Sequence, residues 1–369
     1  MFSRLKPGKR TMKFLRLTFL TWLDANNELK FRGKRNVIKF KHPIQTLKVI
    51  IKILKTSLGG WAYKKAFDIS IQLQLWLNIF LTRFFPKFPP KRIVLICQLD
   101  YLSKFLAQKI PDILAKVDHE MFSGVEMSIN IRSKLPRLAV FDFRTIYIVT
   151  IPQKMRIIPY CYIPFNLEGI RKNYLLDKRT IKILVSADLV FDYSQWNKLE
   201  LESQLNLKAV FVIPILPIPD SKRKPDDAER FKNRSTKILF YGGVEGSNRR
   251  NMAIQRFKLY CPDIKLVANA SYQQLREEIS HARVVVNVHY YEKGTLETLR
   301  ISEALSELTP VVSEYSPNAL ETPLSMIIDT VSYEDFDGLI TKALEIANDY
   351  DLFHDRQKRI LKFMNGLKL

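Results

Sequence analysis

A carboxylate stands inside a helical pattern that connects two apolar runs of the chain. Glu303 lies in the stretch NVHYYEKGTLETLRISEALSELTPVVSE, residues 287–314, where two apolar residues follow it directly. Arg300 falls one turn earlier on the same helical face, so it is placed to contact an anionic ligand or to pair with Glu303 or Glu297. Residue types and spacing leave two interpretations of Glu303 open, a ligand-binding carboxylate and an ordinary helix residue.

A second stretch has the residues of an anion site. In ILFYGGVEGSNRRNMAI, residues 238–254, Gly242 and Gly243 follow a strand-like run, and Arg249 and Arg250 open a helical pattern. Small residues let backbone N–H groups approach an anion, a helix N-terminus adds a favourable dipole, and arginines bind phosphate oxygens through paired hydrogen bonds. The pattern is neither GxGxxG nor a P-loop. Taken alone it fits a diphosphate site or a tight turn with solvated arginines.

The elements that would position these residues are predicted by alternating apolar runs and helical patterns. RIVLICQLD, residues 92–100, is continuously apolar before its polar end, which is typical of a strand buried in a parallel sheet. Strands and helices alternate from there onwards, which predicts an α/β fold with two tandem Rossmann-type doubly wound domains. Ligands of such sheets bind outside the carboxyl ends of the strands, so we expect the two domains to face a cleft.

The predicted organisation has five parts, and a polar, proline-containing stretch separates the two domains. The parts are a basic amphipathic helical segment at 1–90, an N-terminal Rossmann-like acceptor domain at 91–216, a linker at 217–236, a C-terminal Rossmann-like donor domain at 237–345 and a closing helix at 346–369.

The positive charge of the chain is concentrated near its N-terminus. The net charge is +22, and residues 1–90 contain 19 Lys and Arg against 3 Asp and Glu. Around residues 42–56, one helical face is predicted to carry Lys41, Lys48, Lys52 and Lys55. Residues 67–85 are apolar and aromatic but too short and too polar for a membrane span. We predict that residues 1–85 anchor the chain on an anionic membrane surface. An ordinary helical subdomain is the alternative, and no nucleic-acid partner is expected because no such motif appears.

The stretch around Glu303 resembles a motif of the GT-B glycosyltransferases of the "glycosyl transferases group 1" type, which includes the family-4-like retaining enzymes. That family has a helix reading roughly E-A-(M/L)-(A/S)-x-G-x-P-V-V. The matching residues here are Glu303, Ala304, Leu305, Ser306, Thr309, Pro310, Val311 and Val312. The resemblance covers about residues 236–345 well, and 92–216 only in its strand–helix alternation. It implies a GT-B-like fold, a hydrogen bond from Glu303 to the ribose of a nucleotide-sugar donor, and phosphate binding by Arg249 or Arg250.

The chain departs from the family's pattern at two positions. The family's glutamate eight residues before Glu303 is Thr295 here, with Glu297 nearby but out of register, and its glycine ahead of P-V-V is Leu308. The candidate donor-binding residues are Gly242, Gly243, Arg249, Arg250, Asn287, His289, Thr295, Arg300 and Glu303. The candidate catalytic residues are His119, on the acceptor side, and Glu297, and two further candidates, Tyr193 and Ser194, end a predicted strand at the cleft.

The resemblance implies a glycosyltransferase that moves a sugar from a nucleotide-sugar donor to a glycan or lipid-linked acceptor, retaining and metal-independent, at a membrane surface. The resemblance implies no cofactor and no metal. DFD at 335–337 and DYD at 349–351 are spaced like the DxD motif of metal-dependent transferases, but they fall in helical patterns and are interpreted as solvated faces. We therefore predict a cytoplasmic location with peripheral association with a membrane. Two alternatives stay open: an inactive GT-B-like scaffold, which Thr295 favours, and a nucleotide-sugar epimerase of the same architecture.

The cysteines predict neither a disulfide framework nor a metal site. Cys97, Cys161 and Cys261 are far apart, odd in number and without metal-ligand spacing, so we expect free thiols in a reducing compartment.

Overall fold

The structure is a computed structural model, and it describes residues 28–29, 38–39 and most of 92–367, with short gaps between 117 and 177 and at 206, 208, 269 and 293. The four described residues nearest the N-terminus form two short strands, β1 (Glu28–Leu29) and β2 (Ile38–Lys39), which pair antiparallel. The rest of the basic helical segment predicted for 1–90, including the stretches at 42–56 and 67–85, lies outside the described residues.

Six parallel strands form the sheet of the first domain. Its elements are β3 (Arg92–Ile96), α1 (Asp100–Lys116), β4 (Ile129–Arg132), β5 (Thr145–Val149), β6 (Cys161–Asn166), α2 (Lys178–Val185), β7 (Val190–Asp192), α3 (Gln195–Leu205) and β8 (Val210–Val212). The order across the sheet is β4-β3-β5-β6-β7-β8, and each neighbouring pair is parallel. Every residue of β5 is buried, as expected for an inner strand covered on both faces.

Five parallel strands form the sheet of the second domain. The remaining elements are α4 (Ala228–Asn233), β9 (Thr236–Tyr241), α5 (Asn248–Tyr260), β10 (Lys265–Val267), α6 (Tyr272–His281), β11 (Ala282–Asn287), α7 (Thr298–Ser306), β12 (Val311–Glu314), β13 (Asp329–Val331), α8 (Phe336–Asn348) and α9 (Tyr350–Gly366). The order across the sheet is β10-β9-β11-β12-β13. The two sheets confirm the predicted pair of doubly wound domains.

Alternation along β9 divides the core of the second domain into two layers. Ile238 and Phe240 pack in one cluster with residues of α5 and α8, whereas Leu239 and Tyr241 pack in another with residues of α6 and α7. All four side chains are buried. Successive side chains of a strand point to opposite faces, so this short apolar run supplies both layers.

Hydrogen bonds fix residues 215–218, where the first domain joins the linker, to helices of both domains. On α7, Ser302 Oγ donates to the carbonyl of Ile215 at 3.0 Å, and Ser306 Oγ accepts the N–H of Ile218 at 2.8 Å. On α1, the Tyr101 hydroxyl donates to the carbonyl of Leu216 at 2.8 Å. The stretch predicted as a linker also contains the short helix α4.

Helix α7 ends in the backbone conformation that the family's glycine would favour. Leu308 has a φ of 54°, in the left-handed region where side-chain-bearing residues are uncommon. Its side chain is buried against the core, so apolar burial offsets the backbone cost at this position.

The two acidic triplets begin the last helices. Asp335 caps α8 by accepting the N–H of Gly338 at 2.8 Å, and Asp349 caps α9 by accepting the N–H of Asp351 at 2.8 Å. This placement accounts for an aspartate at the start of each triplet, because an aspartate satisfies free N–H groups at a helix start.

None of the described helices has both the length and the apolar content needed to cross a membrane. The three cysteines are free, with Cys97 and Cys261 buried.

Candidate functional site

The candidate site lies where the strand order of the second sheet reverses. From β9 the chain crosses to β10 on one side and then to β11 on the other. The residues that follow β9 and β11 therefore border a crevice at the carboxyl edge of the sheet, where doubly wound folds bind ligands. Gly242 and Gly243 follow β9, whereas Asn287 ends β11 and His289 comes two residues later.

The glycine turn makes room for an arginine from α7. Gly242 has a φ of 125°, which side-chain-bearing residues rarely adopt. The guanidinium of Arg300 occupies the space that a Cβ atom on Gly242 would need. Gly243 has no neighbouring atom within 4 Å of its own Cβ position, so the turn is open on that side. The turn thus presents backbone and one cationic side chain to the crevice.

One glutamate joins two arginines beside this turn. Glu297 Oε1 lies 2.5 Å from Nη2 of Arg250, and Glu297 Oε2 lies 2.6 Å from Nη1 of Arg300. Arg250 also donates to the carbonyls of Val288, at 2.9 Å, and Gly243, at 2.7 Å. We call Arg250, Glu297 and Arg300 the arginine–glutamate cluster. It ties the start of α5, the loop after β11 and the start of α7 together.

Charge within the cluster fixes its protonation. Burial alone would raise the pKa of Glu297, but the positive charges of Arg300 and Arg250 outweigh it and lower that pKa. Burial lowers the pKa of Arg250 to about 10, against the opposing effect of Glu297. Glu297 is therefore an ionised, paired carboxylate and a weak base.

A second buried ion pair lies next to the cluster. Both guanidinium Nη atoms of Arg249 bind the carboxylate of Glu314, whose side chain is fully buried. Glu314 Oε2 also accepts the backbone N–H of His289 at 3.0 Å. The Arg249 guanidinium lies over the ring of Tyr333, with 4.4 Å from Cζ to the ring centroid. Arg249 and Arg250, adjacent in sequence, thus pair with carboxylates on different elements.

Two predicted donor-binding residues are buried behind these pairs. Asn287 donates to Ser313 Oγ at 3.0 Å and accepts from Nη1 of Arg300 at 3.2 Å. His289 Nε2 lies 2.7 Å from Ser316 Oγ, and burial lowers the pKa of His289, which favours the neutral ring. Asn287 therefore positions Arg300, while His289 supports the loop after β11.

Glu303 is a partly buried carboxylate to which no hydrogen bond or ion pair is assigned among the described residues. Its charge acts on Tyr101 of α1 in the first domain and on Tyr241 at the end of β9, so it lies where the two domains approach each other. Burial raises the pKa of Glu303 to about 7, Arg300 opposes this, and Glu307 adds to it. Because none of the described residues pairs with it, this carboxylate is available to bind a ligand in the crevice.

The first domain reaches the loop that precedes α7. The Tyr193 hydroxyl lies 2.8 Å from Thr295 Oγ1, and Ser194 Oγ accepts from Asn318 Nδ2 at 3.4 Å. A Cβ atom on Gly169 would lie 2.5 Å from Thr295 Oγ1, so the Gly169 backbone packs closely against the Thr295 side chain. Thr295, predicted to bind the donor, therefore makes a contact between the domains.

A buried carboxylate that sequence reasoning missed holds this contact in place. Asp192, with no exposed surface, accepts from Asn166 Nδ2 at 2.7 Å and from Asn197 Nδ2 at 3.0 Å. The same two amides donate to the carbonyl of Glu168, the residue before Gly169. Burial raises the pKa of Asp192 to about 7, although these hydrogen bonds oppose it. The sequence feature that could have indicated this site is a polar residue at the end of each of two neighbouring strands, Asn166 in β6 and Asp192 in β7.

One predicted residue cannot be placed: His119 lies outside the described residues. Across the part of the chain that the structure describes, no cluster of His, Cys, Asp and Glu has an arrangement suited to a metal ion.

The buried position of Glu314 makes a stability prediction. Glu314→Gln should lower the free energy of unfolding by about 3 kcal/mol, because removing one partner of a buried ion pair leaves the other charge uncompensated. Urea unfolding followed by circular dichroism measures this. The matched control is Asp337→Asn, which breaks the exposed pair with Arg256 and should change stability little. Equal losses in the two variants would contradict the importance of burial.

The raised pKa of Glu303 predicts a pH-dependent difference between two proteins. The folded-state pKa is about 7 against an ordinary value of 4.5, so the folded state binds the proton more tightly and stability falls as pH rises between these values. The free energy of unfolding of Glu303→Gln, relative to that of wild type, should rise by on the order of 3 kcal/mol between pH 4.5 and pH 7.5. Melting curves at several pH values measure it, and a difference independent of pH would contradict the raised pKa.

Similar architectures are found among solved structures. HepE of Anabaena, solved with UDP and glucose, has a TM-score of 0.50 and 9% identity, covering 75% of this chain and 95% of that chain. WaaG, a glycosyltransferase involved in lipopolysaccharide biosynthesis, has a TM-score of 0.47 and 10% identity, covering 75% and 96%. TarM of S. aureus, solved with UDP, fondaparinux and alpha-GlcNAc-glycerol, has a TM-score of 0.44 and 11% identity, covering 61% and 53%.

The chain spans about half the length of the TarM structures that it matches. No family model and no curated protein matches it. The likeness to HepE concerns the fold, and it agrees with the two facing parallel sheets and the crevice at the switch point. The chain has the GT-B fold.

Proposed function

We propose that this protein is a glycosyltransferase that moves a sugar from a nucleotide-sugar donor to a glycan or lipid-linked acceptor. The observation that carries the proposal is Glu303, a partly buried carboxylate to which no partner is assigned among the described residues. It lies near Tyr101 of the first domain in a GT-B fold. The likeness to HepE, which was solved with UDP and glucose, supports the same class of ligand.

On the donor side, each residue has a role set by its surroundings. Glu303 accepts hydrogen bonds from the ribose hydroxyls, since no described residue competes for its oxygens. Arg300, beside Gly242, binds the diphosphate together with backbone N–H groups of the glycine turn. Arg250 and Glu297 orient Arg300, because three of the Arg250 donors already bind the protein. We thus assign Glu297 to positioning instead of proton transfer.

The transfer itself needs no strong base. The bond between the sugar's anomeric carbon and the diphosphate oxygen breaks as a bond from the acceptor oxygen forms. The acceptor's proton passes to an oxygen of the departing phosphate, and Arg300 stabilises the charge on that leaving group. We propose a retaining, metal-independent reaction on this basis, supported by the guanidinium at the turn.

The acceptor would enter from the first domain. Tyr193 and Gly169 line the contact with Thr295 and are held by the buried Asp192. An anionic membrane surface, bound through residues 1–85, would supply a lipid-linked acceptor. This part of the proposal rests on the concentration of positive charge in that segment.

A specific observation favours a second candidate, an inactive binding protein of the same fold. Arg249, Arg250 and Arg300 are each paired with a carboxylate, and Thr295 replaces the family's glutamate. Such a protein would bind a nucleotide sugar without turning it over, so release of free nucleotide in the presence of acceptors separates the two.

A nucleotide panel tests the donor site. Purified protein is melted with UDP, GDP, CMP and ADP, in wild type, Glu303→Ala and the control Glu345→Ala, which removes an exposed glutamate paired with Lys342. A nucleotide at 100 times its dissociation constant adds about 2.7 kcal/mol to stability. We expect one nucleotide to raise the melting temperature of wild type and the control, and Glu303→Ala to lose that shift.

Either of two results would overturn this assignment. One is the absence of any shift with all four nucleotides, and the other is an undiminished shift in Glu303→Ala.

Vesicle binding tests the proposed membrane surface. The full chain with Lys41, Lys48, Lys52 and Lys55 changed to Gln should bind phosphatidylglycerol vesicles more weakly, by about 1 kcal/mol per lysine. Raised salt should weaken binding of the wild type, because it screens exposed charges. Co-sedimentation measures both effects. Binding that is indifferent to salt and to these substitutions would refute the electrostatic anchor.

A further inference from the structure

A second cavity lies at the edge of the second sheet opposite the candidate donor site. It has a volume of about 440 Å³ and is lined by three segments: residues 222–234, the end of α6 at Ser280 and His281, and the end of α7 at Glu307 and Leu308. We call it the linker cavity. Its volume is in the range of small-molecule sites.

The linker cavity is separate from the donor site. Its lining residues come just before β9 and β11 begin, whereas the glycine turn and Asn287 lie where these strands end. Strand β9 has six residues, which places the two edges about 20 Å apart at about 3.3 Å per residue. A ligand in one site therefore does not touch the other.

Ion pairs form the floor of the cavity, and its two acidic residues, Asp226 and Glu307, are each paired with arginines. Asp226 Oδ2 lies 2.7 Å from Nε of Arg234, a buried arginine that also donates to Thr309 Oγ1 at 3.2 Å. Glu307, which is 5% exposed, binds both Arg223 and Arg276. The carboxylates therefore fix the shape of the floor and do not balance further positive charge.

The rim adds cations that have no carboxylate of their own. Lys222, Lys224 and Arg230 line the cavity and are exposed, and no ion pair is assigned to any of them among the described residues. Two guanidiniums, of Arg223 and Arg234, lie below them. Three cations without an assigned ion pair on one concave surface favour an anion, because a cleft concentrates the field of its walls.

We propose that the linker cavity is an anion site for a ligand bearing phosphate groups, distinct from the donor site. Arg230 offers a planar fork that matches phosphate oxygens, and Lys222 and Lys224 offer compact charges with rotatable donors. The phosphate belongs either to a free diphosphate or to a lipid headgroup. This inference goes beyond the proposed glycosyl transfer and does not depend on it.

Inorganic pyrophosphate is the probe, with binding to the full chain measured by calorimetry. Wild type should bind it, and Lys222→Ala/Lys224→Ala/Arg230→Ala should bind at least tenfold more weakly. The control Lys258→Ala/Lys358→Ala/Lys362→Ala removes the same charge from exposed lysines elsewhere and should bind as wild type does. Arg300→Ala, altered at the donor site, should keep the cavity's binding.

Vesicles distinguish the two sources of phosphate. Phosphatidylglycerol vesicles replace pyrophosphate in the same set of proteins. Loss of vesicle binding in the rim variant but not in the control, without measurable pyrophosphate binding, would assign the site to a lipid headgroup. Loss of pyrophosphate binding alone would assign it to a free phosphate ligand.

Three results would overturn the proposal: equal weakening in the rim and control variants, loss of pyrophosphate binding in Arg300→Ala, or no rim-dependent binding of either probe. The response of the rim variant to nucleotides is recorded in parallel. Because its donor site is unaltered, failure of the anion site and failure of the proposed transfer give different results.

Discussion

The arrangement of the crevice depends on one ionised carboxylate, that of Glu297. It neutralises Arg250, which is almost wholly buried, and Arg300, whose guanidinium fills the space beside Gly242. Without it, the two neighbouring guanidiniums would repel each other, and the buried charge of Arg250 would lack its counter-charge. The glycine turn, the loop after β11 and the start of α7 take their positions around this charge.

Much of the fold was predictable because its causes are local. Continuous apolar runs such as the one that forms β3 mark inner parallel strands, and the polar residues after them mark the sheet's carboxyl edge. The glycine turn and the helix bearing Glu303 followed from such patterns. Leu308 was recognised as a departure from the family's glycine, and its φ of 54° explains why glycine is favoured there.

The side-chain partners were not predictable, because they join residues distant in sequence. The sequence predicted that Arg249 or Arg250 binds phosphate, with solvated arginines as the alternative. In the structure Arg249 pairs with Glu314 and Arg250 with Glu297, which are 65 and 47 residues away. Asp192 drew no notice because an acidic residue at a strand end is usually hydrated. Its burial arises only when Asn166 and Asn197 close over it.

The hydrogen bonds from α7 to Ile215 and Ile218, where the first domain joins the linker, have a mechanical consequence. Ser302 and Ser306 hold Ile215 and Ile218, while Glu303 and Arg300 project from the same nine-residue helix. A hinge motion of the first domain must either break these bonds or carry α7 with it. If these hydrogen bonds persist, α7 moves together with the first domain. Closure of the first domain around an acceptor then also moves Glu303 and Arg300, which bind the donor in the proposed function. Binding of the acceptor would then change the donor site through the movement of helix α7.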